Sequence, residues 1–131
     1  MRRVLLGLLL VTACGDELPA ATVSETPRTR PAGLTEEAWG EQLFVTQGCL
    51  ACHRIDADRL VGPGLAVLTG SRELTSGGTV VVDDVYIRRA LVEPAADVVR
   101  GYSPTMPSYA HLSEADLSAL ETYLRSIQPP R

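Results

Sequence analysis

The sequence has no lysine. All 12 basic residues are arginine, set against 16 Asp and Glu, for a formal charge of −4. That balance excludes a nucleic-acid binder, which needs a basic face to neutralise phosphates. Aromatics are scarce, with one Trp, one Phe and four Tyr, so an aromatic-filled core is excluded. No apolar run approaches the roughly 18 residues needed to span a bilayer. At 131 residues the chain allows one domain plus targeting or linker sequence, and excludes a large α/β enzyme with its own nucleotide-binding sheet. There are only three cysteines. An odd number obliges each one to be explained separately.

The first of them belongs to the N-terminus. Arg2 and Arg3 precede the apolar run from Val4 to Val11, and the small residues Thr12, Ala13 and Cys14 follow. A charged start, a short apolar stretch and a small-residue end predict a secretory signal over 1–13; an uncleaved interfacial helix is the alternative. Val11-Thr12-Ala13-Cys14 resembles the lipobox of bacterial lipoproteins. On that reading Cys14 carries lipid, which explains an unpaired thiol in an oxidising compartment. Residues 14–33 contain Pro19, Pro27 and Pro31 and no hydrophobic period. They read as a flexible tether spanning roughly 25 Å on average, the alternative being a strand packed on the domain. The globular part is expected over 34–131, on a leash from a membrane surface.

Within it, Thr35 followed by Glu36 and Glu37 predicts a helix start, and Ala38, Trp39, Leu43 and Phe44 an apolar face ending at Gly48. A Gly62-Pro63-Gly64-Leu65 loop follows. Residues 72–82 read as a small β-hairpin turning at Ser76-Gly77-Gly78. Asp83 or Asp84 caps a second helix through Leu91, with Pro94 beyond it. Ser113 with Asp116 opens a last helix carrying Leu117, Leu120, Leu124 and Ile127, stopped by Pro129-Pro130. The fold class is mainly α, with three to five short helices. So small a domain is marginal on its own apolar burial, and a cofactor would complete the core.

The cofactor motif is Cys49-Leu50-Ala51-Cys52-His53. C-x-x-C-H is an attachment site for c-type haem. On a helical turn residues i and i+3 share a face, so both thiols can add to the vinyl groups of one porphyrin while the next residue turns its imidazole to the iron. A thioredoxin-like redox pair would want a βαβ context, and a zinc site would want four ligands; a structural disulfide is the remaining alternative. For the sixth iron ligand, Met106 is the only methionine besides Met1. It stands in Tyr102-Ser103-Pro104-Thr105-Met106-Pro107, where Pro107 keeps it out of helical geometry. A thioether there raises the potential. His111 is the competing ligand, and core filling is the alternative role for Met106. The Pro63 carbonyl is the candidate acceptor for the second ring nitrogen of His53, unless Pro63 is an ordinary turn proline.

Together these residues resemble a class I cytochrome c, and in particular the cytochrome c domain fused to subunit II of bacterial caa3-type oxidases. The resemblance runs through Gly48–His53, Gly62–Leu65, Gly78–Tyr86, Glu93-Pro94-Ala95, Val99–Pro107 and the helix bearing Leu120, Tyr123 and Leu124. It covers roughly 39–127. Ala57 stands where that pattern usually has Gly. The resemblance implies one covalent haem c at Cys49 and Cys52, His53 and Met106 as axial ligands, and a first helix crossing the last where Gly40 and Phe44 meet Leu120 and Tyr123. A lipid anchor in place of copper domain and transmembrane helices points to a free-standing or accessory carrier.

With both axial positions filled, no small-molecule substrate reaches iron, and the expected role is electron transfer rather than catalysis. The expected partners are redox proteins, either a cytochrome oxidase or a quinol-oxidising complex. The expected location is a bacterial membrane surface, with the head in the periplasm or otherwise outside the cytoplasmic membrane. The alternative is a fixed haem subunit of a larger respiratory complex, and a third reading is a peroxidase-like enzyme or gas sensor. Arg88, Arg89 and Arg100 are read either as a local cationic patch for partners or as a solvated face.

Overall fold

A computed structural model describes residues 29–129. The expected signal at 1–13, Cys14, most of the tether and Pro130 lie outside the described residues.

Three helices carry the fold. The first, α1, spans Glu36–Thr46, with the Thr35 hydroxyl accepting from the Ala38 N–H (3.1 Å). The second, α2, spans Asp84–Val92, where the Asp83 carboxylate accepts from the Tyr86 N–H (2.8 Å). The third, α3, spans Glu114–Ser126, with the Ser113 hydroxyl accepting from the Asp116 N–H (3.2 Å). Each cap satisfies an otherwise orphaned N–H of the first turn. Single 3₁₀ turns lie at Cys49–Ala51 and Leu65–Val67. Between them and α2 sits an antiparallel hairpin, β1 (Ser71–Glu73) with β2 (Thr79–Val81), paired Ser71 to Val81 and Glu73 to Thr79. The mainly α class with a small hairpin is therefore observed. Boundaries shift slightly from the sequence reading. Helical bonding in α1 stops at Thr46, and Gly48 is the left-handed residue beyond it (φ +75°). In α3 it stops at Ser126, three residues before Pro129.

The core lies where α1 crosses α3. Leu43, Phe44 and Leu120 are fully buried there, and the Phe44 and Tyr123 rings lie 5.3 Å apart. Gly40 makes the crossing close: a Cβ on it would collide with the Ala119 carbonyl and stand 2.8 Å from Tyr123 Cβ. A polar pin holds the same crossing. The Trp39 indole donates to Asp116 Oδ1 (2.9 Å), while the Ser113 hydroxyl occupies Oδ2 (2.9 Å). Asp116 is only 3% exposed, so both of its oxygens must be satisfied inside the protein. Tyr86, Ile87 and Leu91 of α2 complete the core cluster. They also face a cavity that the three helices leave open.

Candidate functional site

That cavity measures about 370 Å³. One wall is the turn after α1. There the His53 and Cys52 N–H groups both donate to the Cys49 carbonyl (2.9 and 3.1 Å). In a 3₁₀ turn residues i and i+3 eclipse, which aligns Cys49 with Cys52. Both thiols are unbridged, half-buried and line the cavity. Burial pushes the Cys49 thiol up, and a hydrogen bond from the Tyr109 hydroxyl partly offsets it. Burial, then the neighbouring Cys49, raises Tyr109 itself to about 12. Among the described residues the one sheet is an antiparallel pair, not a βαβ unit, and no three His, Cys, Asp or Glu side chains gather as a metal cluster.

The next wall is the loop 54–64. His53 Nδ1 lies 2.9 Å from the Pro63 carbonyl. A carbonyl can only accept, so Nδ1 is the donor, and in the neutral imidazole Nε2 is the nitrogen left with a lone pair. The imidazole rests on the backbone of Gly62, where a Cβ would stand 2.8 Å from Nδ1 and 2.9 Å from Nε2. Gly62 is fixed in turn by its N–H donating to the Cys52 carbonyl (2.8 Å). Met106 is half-buried and lines the same cavity, flanked by Pro104, Thr105 and Pro107. His111 is exposed, 6.2 Å from the Tyr109 ring, and outside the cavity lining. The structure thus brings Cys49, Cys52, His53, Pro63 and Met106 to one space and leaves His111 out.

Residues 37–128, more than two-thirds of the chain, match the family model described as cytochrome c. The chain belongs to the cytochrome c family. Its members hold haem c covalently and transfer electrons. This cytochrome c is similar to a diheme cytochrome c-type protein of Cereibacter sphaeroides, 31% identical over 150 aligned residues that cover 98% of this chain and 50% of that protein. It is also similar to lupanine 17-hydroxylase [cytochrome c] of a Pseudomonas species, 29% identical over 111 residues, covering 82% of this chain and 14% of that protein. The chain therefore spans half the length of one relative and a small part of the other.

The donor set fits the family's cofactor. Two aligned thiols, one imidazole and one thioether face a largely apolar space, a set able to hold a planar macrocycle covalently and to ligate its iron. Several cavity residues carried no signal in the sequence reading. Asp97 is one: it lines the cavity and is ion-paired with Arg89. Tyr109, which bridges the Cys49 turn to the start of α3, is another. Its hydroxyl lies 3.4 Å from the Gln47 carbonyl.

The cationic patch considered for Arg88, Arg89 and Arg100 is not formed. Arg88 pairs with Glu114 (2.8 Å) and Glu121, Arg89 with Asp97, and Arg100 with Glu73 (3.1 Å). Each guanidinium already faces a carboxylate, so the three do not gather as an unpaired basic patch.

Proposed function

We propose that this cytochrome c is a monohaem, membrane-tethered carrier of single electrons. In this reading Cys49 and Cys52 form the two thioether bonds, and His53 Nε2 and Met106 Sδ are the axial ligands. The supporting observation is that these four side chains line one cavity while His111 stands outside it. We read one haem from the single C-x-x-C-H in this sequence. When bound, the haem supplies a one-electron couple at iron.

The chain's own residues hold and tune it. The Pro63 carbonyl fixes the His53 tautomer and ring orientation, and raises the basicity of Nε2. Gly62 supports the ring face. Pro104 and Pro107 stiffen the Met106 loop. The apolar wall excludes water and favours the less charged reduced state. Electrons would pass towards a terminal oxidase, a direction taken from the resemblance to oxidase-fused domains. Quinol-oxidising complexes are the matching donors. Cys14 would carry the lipid anchor, with 1–13 removed and the domain from 34 held outside the cytoplasmic membrane on the 14–33 tether.

A second reading, a fixed haem subunit of a larger complex, is favoured by one observation. Both relatives are longer than this chain, and one is named as a hydroxylase. Co-purification of a stable partner after mild detergent extraction separates the two.

Attachment is tested on denaturing gels. Cys49→Ser combined with Cys52→Ser should remove haem staining completely, and His53→Ala should leave no stable holoprotein. Staining that survives loss of both thiols contradicts the covalent assignment. The anchor is tested by fractionation. Cys14→Ser should move the protein from the detergent-extracted membrane fraction to an unprocessed or soluble form, and an unchanged distribution would assign membrane binding to another segment.

A further inference from the structure

Met106 lies on the long connection between α2 and α3, and that connection is anchored at two places. Near its middle, the Arg100 N–H donates to the Glu73 carbonyl (2.7 Å) and the Arg100 side chain pairs with the Glu73 carboxylate. Near its end, the Ser108 hydroxyl donates to the Val92 carbonyl (2.6 Å) and the Tyr109 N–H to the Leu91 carbonyl (2.9 Å). Between these anchors the backbone hydrogen bonds are local, Tyr102 to Val99 and Thr105 to Ser103. Pro104 and Pro107 have no N–H to contribute. Backbone bonding alone therefore leaves the Met106 span weakly held.

One side chain reaches it from another loop. Arg59 belongs to the loop that also supplies Gly62 and Pro63 to His53. Its guanidinium carbon stands 4.3 Å from the centre of the Tyr102 ring, and its Nη2 donates to the Gly101 carbonyl. Arg59 has no carboxylate partner in the ion pairs among the described residues. Its contacts are thus spent on the loop rather than on a surface acid. Tyr102, the residue beneath it, lines the cavity. Gly101 takes φ +89°, a backbone conformation strained for any side chain, so the carbonyl that Arg59 engages sits at a turn specific to glycine.

We propose that Arg59 is a positioning residue, a clamp that joins the His53 loop to the Met106 loop and sets how readily the thioether leaves iron. This rests on the assignment of Met106 as sixth ligand. For Met106 to swing away, its loop must move relative to the loop 54–64. That movement breaks the stack on Tyr102 and the charge-assisted bond to Gly101 together. Lysine keeps the charge but loses the planar stack and the fork geometry, so it should restore only part of the clamp.

The test uses holoprotein of the wild type, Arg59→Ala and Arg59→Lys. Carbon monoxide can bind the ferrous form only when the thioether has left, so its binding rate reads the opening. Arg59→Ala should bind carbon monoxide at least about tenfold faster, a lower bound for losing one cation–π contact and one charge-assisted hydrogen bond. In the oxidised form it should lose the far-red sulfur-to-iron band at a lower pH than wild type. Arg59→Lys should fall between, at about threefold for the part of those contacts it loses. If the wild type shows the band and Arg59→Ala matches it in both measurements, the clamp is overturned and the Met106 assignment stands. If the wild type itself lacks the band, both fall. Should Arg59→Ala yield no holoprotein, Arg59→Lys decides, and a wild-type rate in that variant overturns the clamp.

Discussion

Gly40→Ala should destabilise the holoprotein by about 3 kcal/mol, at the upper end of overpacking costs. The direction is the informative part. In an ordinary helix interior the same change stabilises by roughly 0.5–1 kcal/mol, because alanine loses less backbone entropy than glycine. Here the added carbon would run into the Ala119 carbonyl and crowd Tyr123. Neither is the flexible end of a side chain, so α1 and α3 must separate. Separation strains the Trp39–Asp116 bond and opens the space around Leu43, Phe44 and Leu120, which are buried to within 2% of complete. The midpoint of thermal unfolding, followed by far-ultraviolet circular dichroism, should fall by about 4–8 °C for each kcal/mol in a domain of this size. A midpoint that stays level or rises would mean that the helices do not cross so closely.

The crossing also marks the boundary of what could be read from the sequence. Thr35 and Ser113 were legible as caps, and the second cap as Asp83 or Asp84, because a cap is a local event: a side-chain oxygen meets an N–H three residues on. The Cys49–His53 motif was legible for the same reason, since its chemistry is set by spacing within one turn. The Ser76-Gly77-Gly78 turn likewise announces its hairpin. Asp116 shows where this stops. Beside Ser113 it reads as part of a capping box, and that local bond is present (2.9 Å). Its burial is explained by the indole of Trp39, 77 residues away, and no local pattern connects the two. The arginines fail in the same way. Arg88, Arg89 and Arg100 look like a basic cluster along the chain, but their carboxylate partners come from α3, from the loop after α2 and from β1. Arg59 looked like an unremarked loop residue because Gly101 lies 42 residues on. Within the cavity, the apolar positions of α2 were foreseeable from periodicity. Tyr109 and Asp97 were not, since both reach the wall from irregular segments that carry no period.

Met106→Ala should change the behaviour of the haem more than any other single substitution outside the attachment motif. Met106 is half-buried in the cavity that also holds His53 and both thiols. Besides Met1 it is the only methionine in the sequence, so no second thioether within the domain can replace it. His111 is exposed, outside that lining and beside the Tyr109 ring, so it is not placed to serve as a substitute. Soft thioether ligation favours the ferrous state. Its loss should lower the midpoint potential on the order of 100 mV, within the roughly 0.8 V that axial ligands control. The oxidised protein should lose its far-red sulfur-to-iron band, and the reduced protein should bind carbon monoxide. Met106→His should keep six-coordination but still lower the potential, because imidazole stabilises ferric iron better than a thioether does. His111→Ala should leave the band and the potential of the wild type untouched. A carrier passing electrons to an oxidase depends on the raised potential and the closed site together, so oxygen uptake by membranes should fall with Met106→Ala and hold with His111→Ala. If His111→Ala abolishes the low-spin spectrum while Met106→Ala preserves it, the ligand assignment is reversed. The chain would then be a bis-histidine cytochrome of low potential, unsuited to an oxidase.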